Sequence, residues 1–586
     1  ASHHECLILD AELAAHGGGA RFQVDDGYAF GPPDVIFGAL RRYNANIAAC
    51  GERLVFHKCV AYCPALDAAL ALDPAYLADA ALGDAIAVGT GGFVVGGVPV
   101  GTTAFVADHF DNLITDQLSY IEKIETKLRS VHSQSLWTLA LYVAQTRLDY
   151  IASLAYPCDS TPMLARFDAR ILGLVSAAFG AAGPPVVADA LARARLRLPV
   201  RLKGCGVRAR EDVVLAAFAG TMCAVIPTMI NRLAGGRIVR GFMPQLAPWL
   251  GPGSMDRGVV PRFDTLCRSG CRLGATFSAA WGALRAEIAA ALGAAPDSGP
   301  LGVEAACAGT VDGVPIDKVQ REITLQREEA RVEPMRRALS ARGAGSMPAA
   351  AFQCCDRFST RFLLVWPSKM LKMTNAEWAE VVATFFGVAS PALAAHVGKP
   401  IVGSAAVVDA FGLNFFNRNE LLNRDNARVG WHDTLERHFY ESLREAGIFA
   451  RREVLGLFTD LMTPAQKGDF ERRYPNSRSR SGCVPDIVLE DGGVRRLADV
   501  KTMGFGETNY GETRLRHVVG PVDERARKVH VEYVRKVKKL GRPGVAGDED
   551  RFVQRLLELT GVTVGLVLGY FGEASSAVHQ LVAKCA

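Results

Sequence analysis

No run of 18 uninterrupted apolar residues occurs in this sequence of 586 residues. The best stretch, 171–192, is broken by Pro184-Pro185 and Asp189, so no membrane span is read and no membrane partner is expected. The opening ASHHECLILDAELAAHGG has neither a basic start nor an apolar centre, so it does not read as a secretory signal. Charge of one sign is scarce too. Sixty-six basic residues against 61 acidic ones leave a net +5, too weak a balance to argue for nucleic acid except through local clusters. The 14 cysteines are scattered and suggest reduced thiols inside the cell, in the nucleus or cytoplasm, not a disulfide framework. Cys267 and Cys271 are four apart, but no second pair completes a zinc spacing, and Cys354-Cys355 has no nucleophile context. The runs GTGG and GGVPVG lack the Lys-Ser/Thr of a P-loop and the strand-to-helix setting of a dinucleotide turn, which excludes both chemistries. The chain opens on Ala1 and not Met, and we expect a piece of a longer product.

What is present is material for packed cores. Hydrophobic residues make up 49% and charged ones 22%, which argues against global disorder. At roughly 150 residues per domain, three or four units are expected. The patterns predict a multidomain α+β chain. Residues 1–102 mix a short helix with strand-like runs, and 89–101 reads as a glycine-punctuated hairpin. Residues 103–237 are helical, with Leu113, Leu118, Ile121, Ile124 and Leu128 at near-helical spacing. Residues 238–395 are Ala-rich, helical and broken by Pro and Gly. Residues 396–586 are α/β: an amphipathic helix over 432–446 ended by Gly447, a hairpin around Asp491-Gly492, a basic helix over 523–540, a strand over 562–570 and a last helix.

Asp25-Asp26 sits between short apolar runs, a strand-turn-strand pattern. Adjacent carboxylates repel unless a cation neutralises them, and hard oxygen donors suit Mg²⁺. A solvated turn is the bland alternative for such a pair. The order that follows is a helix over 33–49, then LVFHKCVAY with Lys58, then GGFVVGGVPVG. It resembles the end of a reverse transcriptase palm of the non-LTR retrotransposon type. The resemblance covers about 7–235 and makes 103–237 a helical thumb, followed by a connector over 238–395. It implies that Asp25 and Asp26 are metal-binding polymerase residues and that Lys58 faces nucleic acid. The palm's first metal-binding aspartate belongs well upstream, where this chain has almost no sequence. Gln23 stands where such palms carry an aromatic residue. We therefore expect no polymerase activity from this chain alone.

The most informative stretch is GCVPDIVLEDGGVRRLADVKTM. Asp499 and Lys501 are two apart on a predicted strand and so leave one face, while Val500 points to a packing helix. The hairpin brings Asp486 alongside Asp499. Two carboxylates for a divalent ion, Mg²⁺ or Mn²⁺, with an ammonium beside bound water, suit phosphodiester hydrolysis. Pro485-Asp486 and Asp499-Val500-Lys501 resemble the PD-(D/E)XK restriction-endonuclease-like family. That resemblance implies a further metal-binding acid on the preceding helix. Glu436 is the candidate, with Glu441 as the alternative, and His432, one turn before Glu436, could share the site. The order PD, ADVKT, Tyr510 and RARKVHVEYVRKVKKL is similar to C-terminal endonuclease regions of non-LTR elements, covering about 400–586. The stretch before His432 has no cysteine, so no structural zinc is expected there.

Arg525, Arg527, Lys528, Arg535 and Lys536 on the basic helix, with Arg478 and Arg480 before the hairpin, suit a phosphate backbone. A solvated helix face is the competing explanation. Together these features lead us to expect part of a retrotransposon polyprotein that acts on a DNA target and its own element RNA. Its last domain would cleave DNA with a divalent metal. The competing expectations are a degenerate, non-catalytic nucleic-acid-binding remnant and a helical scaffold built on 105–395.

Overall fold

The computed structural model describes residues 2–62 (except 24, 25, 56 and 57), 87–221 (except 90, 156, 211, 215 and 219), 310–416 (except 312, 313, 316, 317, 344, 370 and 403) and 427–585 (except 453, 455, 456, 474–484, 492, 516–518 and 543). The chain mixes helix and strand and divides into two compact units. The first comprises Ala1–Thr126, Leu141–Gly173 and Arg208–Arg331; the second comprises Lys127–Ala140, Leu174–Val207 and Val332–Ala586. Among the described residues, no helix is long and apolar enough to cross a membrane.

In the first unit, the helices Ser2–Ala14 and Pro33–Ala49 pack beside an antiparallel hairpin, Gly19–Gln23 with Asp26–Phe30. Leu9, Leu13, Ala20, Ala39, Tyr43 and Ile47 form the core between them. The expected glycine-rich hairpin forms as Gly92–Val95 paired with Val98–Gly101. Gly96 and Gly97 turn it with φ of 53° and 81°, a region open to glycine and costly for other residues. Helix Thr103–Leu128 follows, and it buries Val106, Phe110, Ile114 and Ile121. The buried stripe is thus shifted from the leucines that the spacing picked out, and only Ile121 is common to both.

The second unit is built on a four-stranded mixed sheet. Helix α1 (Ala427–Glu445) leads into β1 (Phe449–Arg452), then β2 (Ile487–Asp491) and β3 (Val494–Thr502). Helices α2 (Pro521–Lys538) and α3 (Asp548–Thr560) cross over to β4 (Val564–Leu568), and α4 (Ser576–Cys585) closes the chain. The spatial order is β4-β3-β2-β1. β1 to β3 are antiparallel neighbours and β4 runs parallel to β3.

Strand alternation distributes the side chains between two cores. Ile487, Leu489, Ala498 and Val500 pack with Leu443 of α1 and Val578 of α4. Val488 and Leu497 pack with Tyr533 and Val537 of α2 and Phe552 and Leu556 of α3. Gly565 of β4 is required by this layering, because a Cβ there would lie 2.8 Å from the Ala526 backbone of α2. The end of α1 is capped as its glycine suggests: Gly447 has φ 75°, and Ile448 N–H donates to Leu443 at 2.9 Å.

A third core joins earlier chain to this domain. Met347, Ala350 and Ala351, on helix Met347–Cys354, pack with Met503, Phe505, Tyr510, Val522, Val529, Val567 and Phe571. Farther along the helical part, Trp378 donates to the Ala178 carbonyl at 2.9 Å and Trp137 to the Leu363 carbonyl at 2.8 Å. Arg195, almost fully buried, is held by the carbonyls of Lys203, Phe385 and Ala351 and lies 4.0 Å over the Phe385 ring.

Candidate metal centre

Strand register puts the key carboxylates together. Ile487 pairs with Ala498, so Asp486, one residue before β2, comes beside Asp499 on β3. The Val500 N–H donates to Asp486 Oδ2 at 2.6 Å, which ties that carboxylate to the neighbouring strand. Lys501 Nζ lies 2.6 Å from Asp499 Oδ2 and 4.0 Å from Asp486 Oδ2. Asp499 is 6% exposed, whereas Asp486 and Lys501 are half-buried.

Helix α1 supplies the other wall. His432 Nε2 lies 3.1 Å from Asp486 Oδ2, and its Nδ1 lies 3.4 Å from Asp433 Oδ1. Glu436, one turn on and 1% exposed, is held by Arg452 of β1 through Nε at 2.7 Å and Nη2 at 3.2 Å. Ligand atoms of His432, Asp433 and Glu436 lie within 4.8 Å of one another, the one such cluster of three among the described residues.

The electrostatics follow from this crowding. Burial by itself would raise the Asp486 carboxyl, but the His432 hydrogen bond and the Lys501 ammonium outweigh it and hold it below the usual range. Burial and the adjacent Asp486 push Asp499 up, against the pull of Lys501. The bond to Asp486 raises His432 in spite of burial. Among the described residues, His432, Asp433 and Glu436 are the group placed closely enough to hold a metal ion, and Asp486, in contact with Asp499, adjoins it through His432.

The structure therefore brings together Asp486, Asp499 and Lys501, with Glu436 on the same side of the domain but engaged by Arg452. Glu441, the alternative, is exposed and lies beside His438 at 3.8 Å. Asp26 opens the second strand of the first unit's hairpin and is exposed; Asp25 lies outside the described residues. Lys58, also in the first unit, is exposed.

On α2 the basic residues divide. Arg525 pairs with Glu532 at 2.9 Å and Lys528 with Glu524 at 3.0 Å. Arg527, Arg535 and Lys536 are exposed on the side opposite the buried Val522, Val529, Tyr533 and Val537. Arg478 and Arg480 lie outside the described residues. Sequence reasoning missed Arg452 and Asp433. A bare Arg451-Arg452 at the end of a strand carries no local sign of a partner 16 residues earlier.

Neither the known protein-family models nor the curated proteins include a match to this chain.

Proposed function

We propose that residues 396–586, which lie in the second unit, form a metal-dependent DNA endonuclease domain within part of a non-LTR retrotransposon polyprotein. The observation that carries this reading is the convergence of Asp486, Asp499 and Lys501 at one end of the β2–β3 hairpin. Asp486 and Asp499 hold Mg²⁺ or Mn²⁺, with Glu436 as the helix carboxylate. A bound ion would supply an activated water and neutralise charge on the scissile phosphate. Lys501 orients the nucleophile and offsets negative charge that grows on the phosphate. The exposed face of α2, with Arg527, Arg535 and Lys536, supplies backbone contacts. In the complete element the nick provides the 3′ end from which element RNA is copied. Asp25 and Asp26 serve that copying step only in the intact parent protein. The protein works inside the cell, in the nucleus or cytoplasm.

A second reading has one observation in its favour. Each acidic side chain of the centre already faces a protein cation or imidazole: Lys501 at Asp499, His432 at Asp486, Arg452 at Glu436. A degenerate remnant that binds nucleic acid without cleaving it could keep such a self-neutralised cluster. Plasmid nicking by the full chain with Mg²⁺ or Mn²⁺ separates the two. The nuclease reading requires metal-dependent nicking that Asp499→Ala abolishes; DNA binding without nicking by the folded chain supports the remnant.

A further inference from the structure

We propose that His432 is a metal ligand of this centre, so that the cation is held by two carboxylates and one imidazole nitrogen. The inference rests on the metal-dependent reading above and departs from it at one ligand, replacing Glu436 by His432 as the third donor, and it names the class of ion. Glu436, the expected helix ligand, has both carboxylate oxygens taken by the Arg452 guanidinium in a bidentate pair. To reach a metal it must give up part of that pair at a position that is 1% exposed, where a lost partner is not replaced by water. His432 has no such commitment to a guanidinium. Its Nε2 already faces the metal-side carboxylate, 3.1 Å from the Asp486 oxygen that also receives the Val500 N–H.

The other ring nitrogen strengthens the assignment. Nδ1 lies 3.4 Å from Asp433 Oδ1, so the imidazole is strung between Asp433 and Asp486. A carboxylate on one nitrogen of a histidine orients the ring, and the opposite nitrogen, here facing Asp486, would bind metal when the cation takes the place of the proton between them. The helix makes this possible. His432 and Glu436 are four residues apart on one face of α1, so a single helical turn offers both a donor and an acid. Glu436 then acts as a positioning residue, fixing Arg452 between α1 and β1.

Donor type sets the preferred ion. An all-oxygen site suits Mg²⁺ or Ca²⁺, whereas imidazole among the ligands favours first-row transition ions. The centre should therefore bind Mn²⁺ more tightly than Mg²⁺, by about tenfold or more, and His432→Ala should reduce Mn²⁺ affinity about 10- to 100-fold while changing Mg²⁺ affinity less.

The test is pulsed electron paramagnetic resonance on the full chain loaded with Mn²⁺, prepared once with ordinary histidine and once with ¹⁵N-histidine. The expected result is ¹⁴N modulation from a directly bound nitrogen, replaced by the ¹⁵N pattern in the labelled sample. It persists in Glu436→Gln and is lost in His432→Ala. The isotope comparison needs no substitution, so a variant that fails to fold leaves the test intact. Bound Mn²⁺ without nitrogen modulation overturns the histidine ligand and leaves the nuclease reading standing. A folded chain that binds no Mn²⁺, and whose Asp499→Ala variant behaves identically, overturns both.

Discussion

Glu573 is a carboxyl that the fold keeps away from water, and replacing it should change how stability depends on pH. It is 2% exposed, in the loop after β4. It accepts the Tyr510 hydroxyl at 2.7 Å and the Phe571 N–H at 3.0 Å. Burial outweighs these bonds and raises its pKa from 4.5 to about 7. The folded state therefore binds a proton that the unfolded chain releases more readily. The stabilising contribution is complete below pH 4.5 and is lost as pH rises through about 7. Between pH 5 and pH 8 it falls by about 2.5 kcal/mol. In Glu573→Gln residue 573 no longer titrates, and the amide keeps an acceptor for the Phe571 N–H and a donor towards the Tyr510 oxygen. Urea unfolding of both proteins across this pH range, read as a difference at each pH, isolates the residue from every other titrating group. The variant should gain on the wild type by about 2.5 kcal/mol from pH 5 to pH 8. A difference that stays flat with pH would refute the buried-acid account of this loop.

Three further predictions follow from the same packing. Arg452→Met should destabilise the second unit by about 3 kcal/mol, the low end for orphaning a buried charge, because the arginine side chain is itself 34% exposed. The double variant with Glu436→Leu should recover most of that loss in thermal unfolding, and additive losses would show that the pair is not the cause. Gly565→Ala should cost about 1–3 kcal/mol, since its Cβ meets the Ala526 backbone at 2.8 Å; an unchanged melting temperature would mean that α2 can withdraw from β4 freely. Arg535→Ala with Lys536→Ala should weaken DNA binding and lower the slope of log affinity against log salt by about two, read by fluorescence anisotropy; an unchanged slope would remove α2 from the interface.

The sequence made local features legible and left long-range ones hidden. The β2–β3 hairpin follows from alternating residues around Asp491-Gly492, and its register alone brings Asp486 to Asp499. The basic helix, read over 523–540, forms as Pro521–Lys538, and the last strand, read over 562–570, forms as Val564–Leu568. Helix α1 starts five residues before the expected 432, because the stretch ahead of His432 lacks the apolar spacing that marks a helix. Arg452 was invisible, since its partner is fixed by the packing of α1 on β1 and not by any spacing along the chain. The same holds for Met347, Ala350 and Ala351. An alanine-rich helix has no marked face, and only the fold reveals that it packs with Phe505 and Tyr510. That shared core has a practical consequence: residues 396–586 alone would leave part of it unfilled.

The most direct test is plasmid nicking by the full chain with Mg²⁺ or Mn²⁺, beside Asp499→Ala and Lys501→Ala. Asp499 and Lys501 are 2.6 Å apart and act on the same reacting centre in this account. It predicts metal-dependent nicking in the wild type that is lost in both variants while DNA binding remains. Nicking that survives Asp499→Ala, or a folded wild type that binds DNA and never cuts it with either metal, would contradict it.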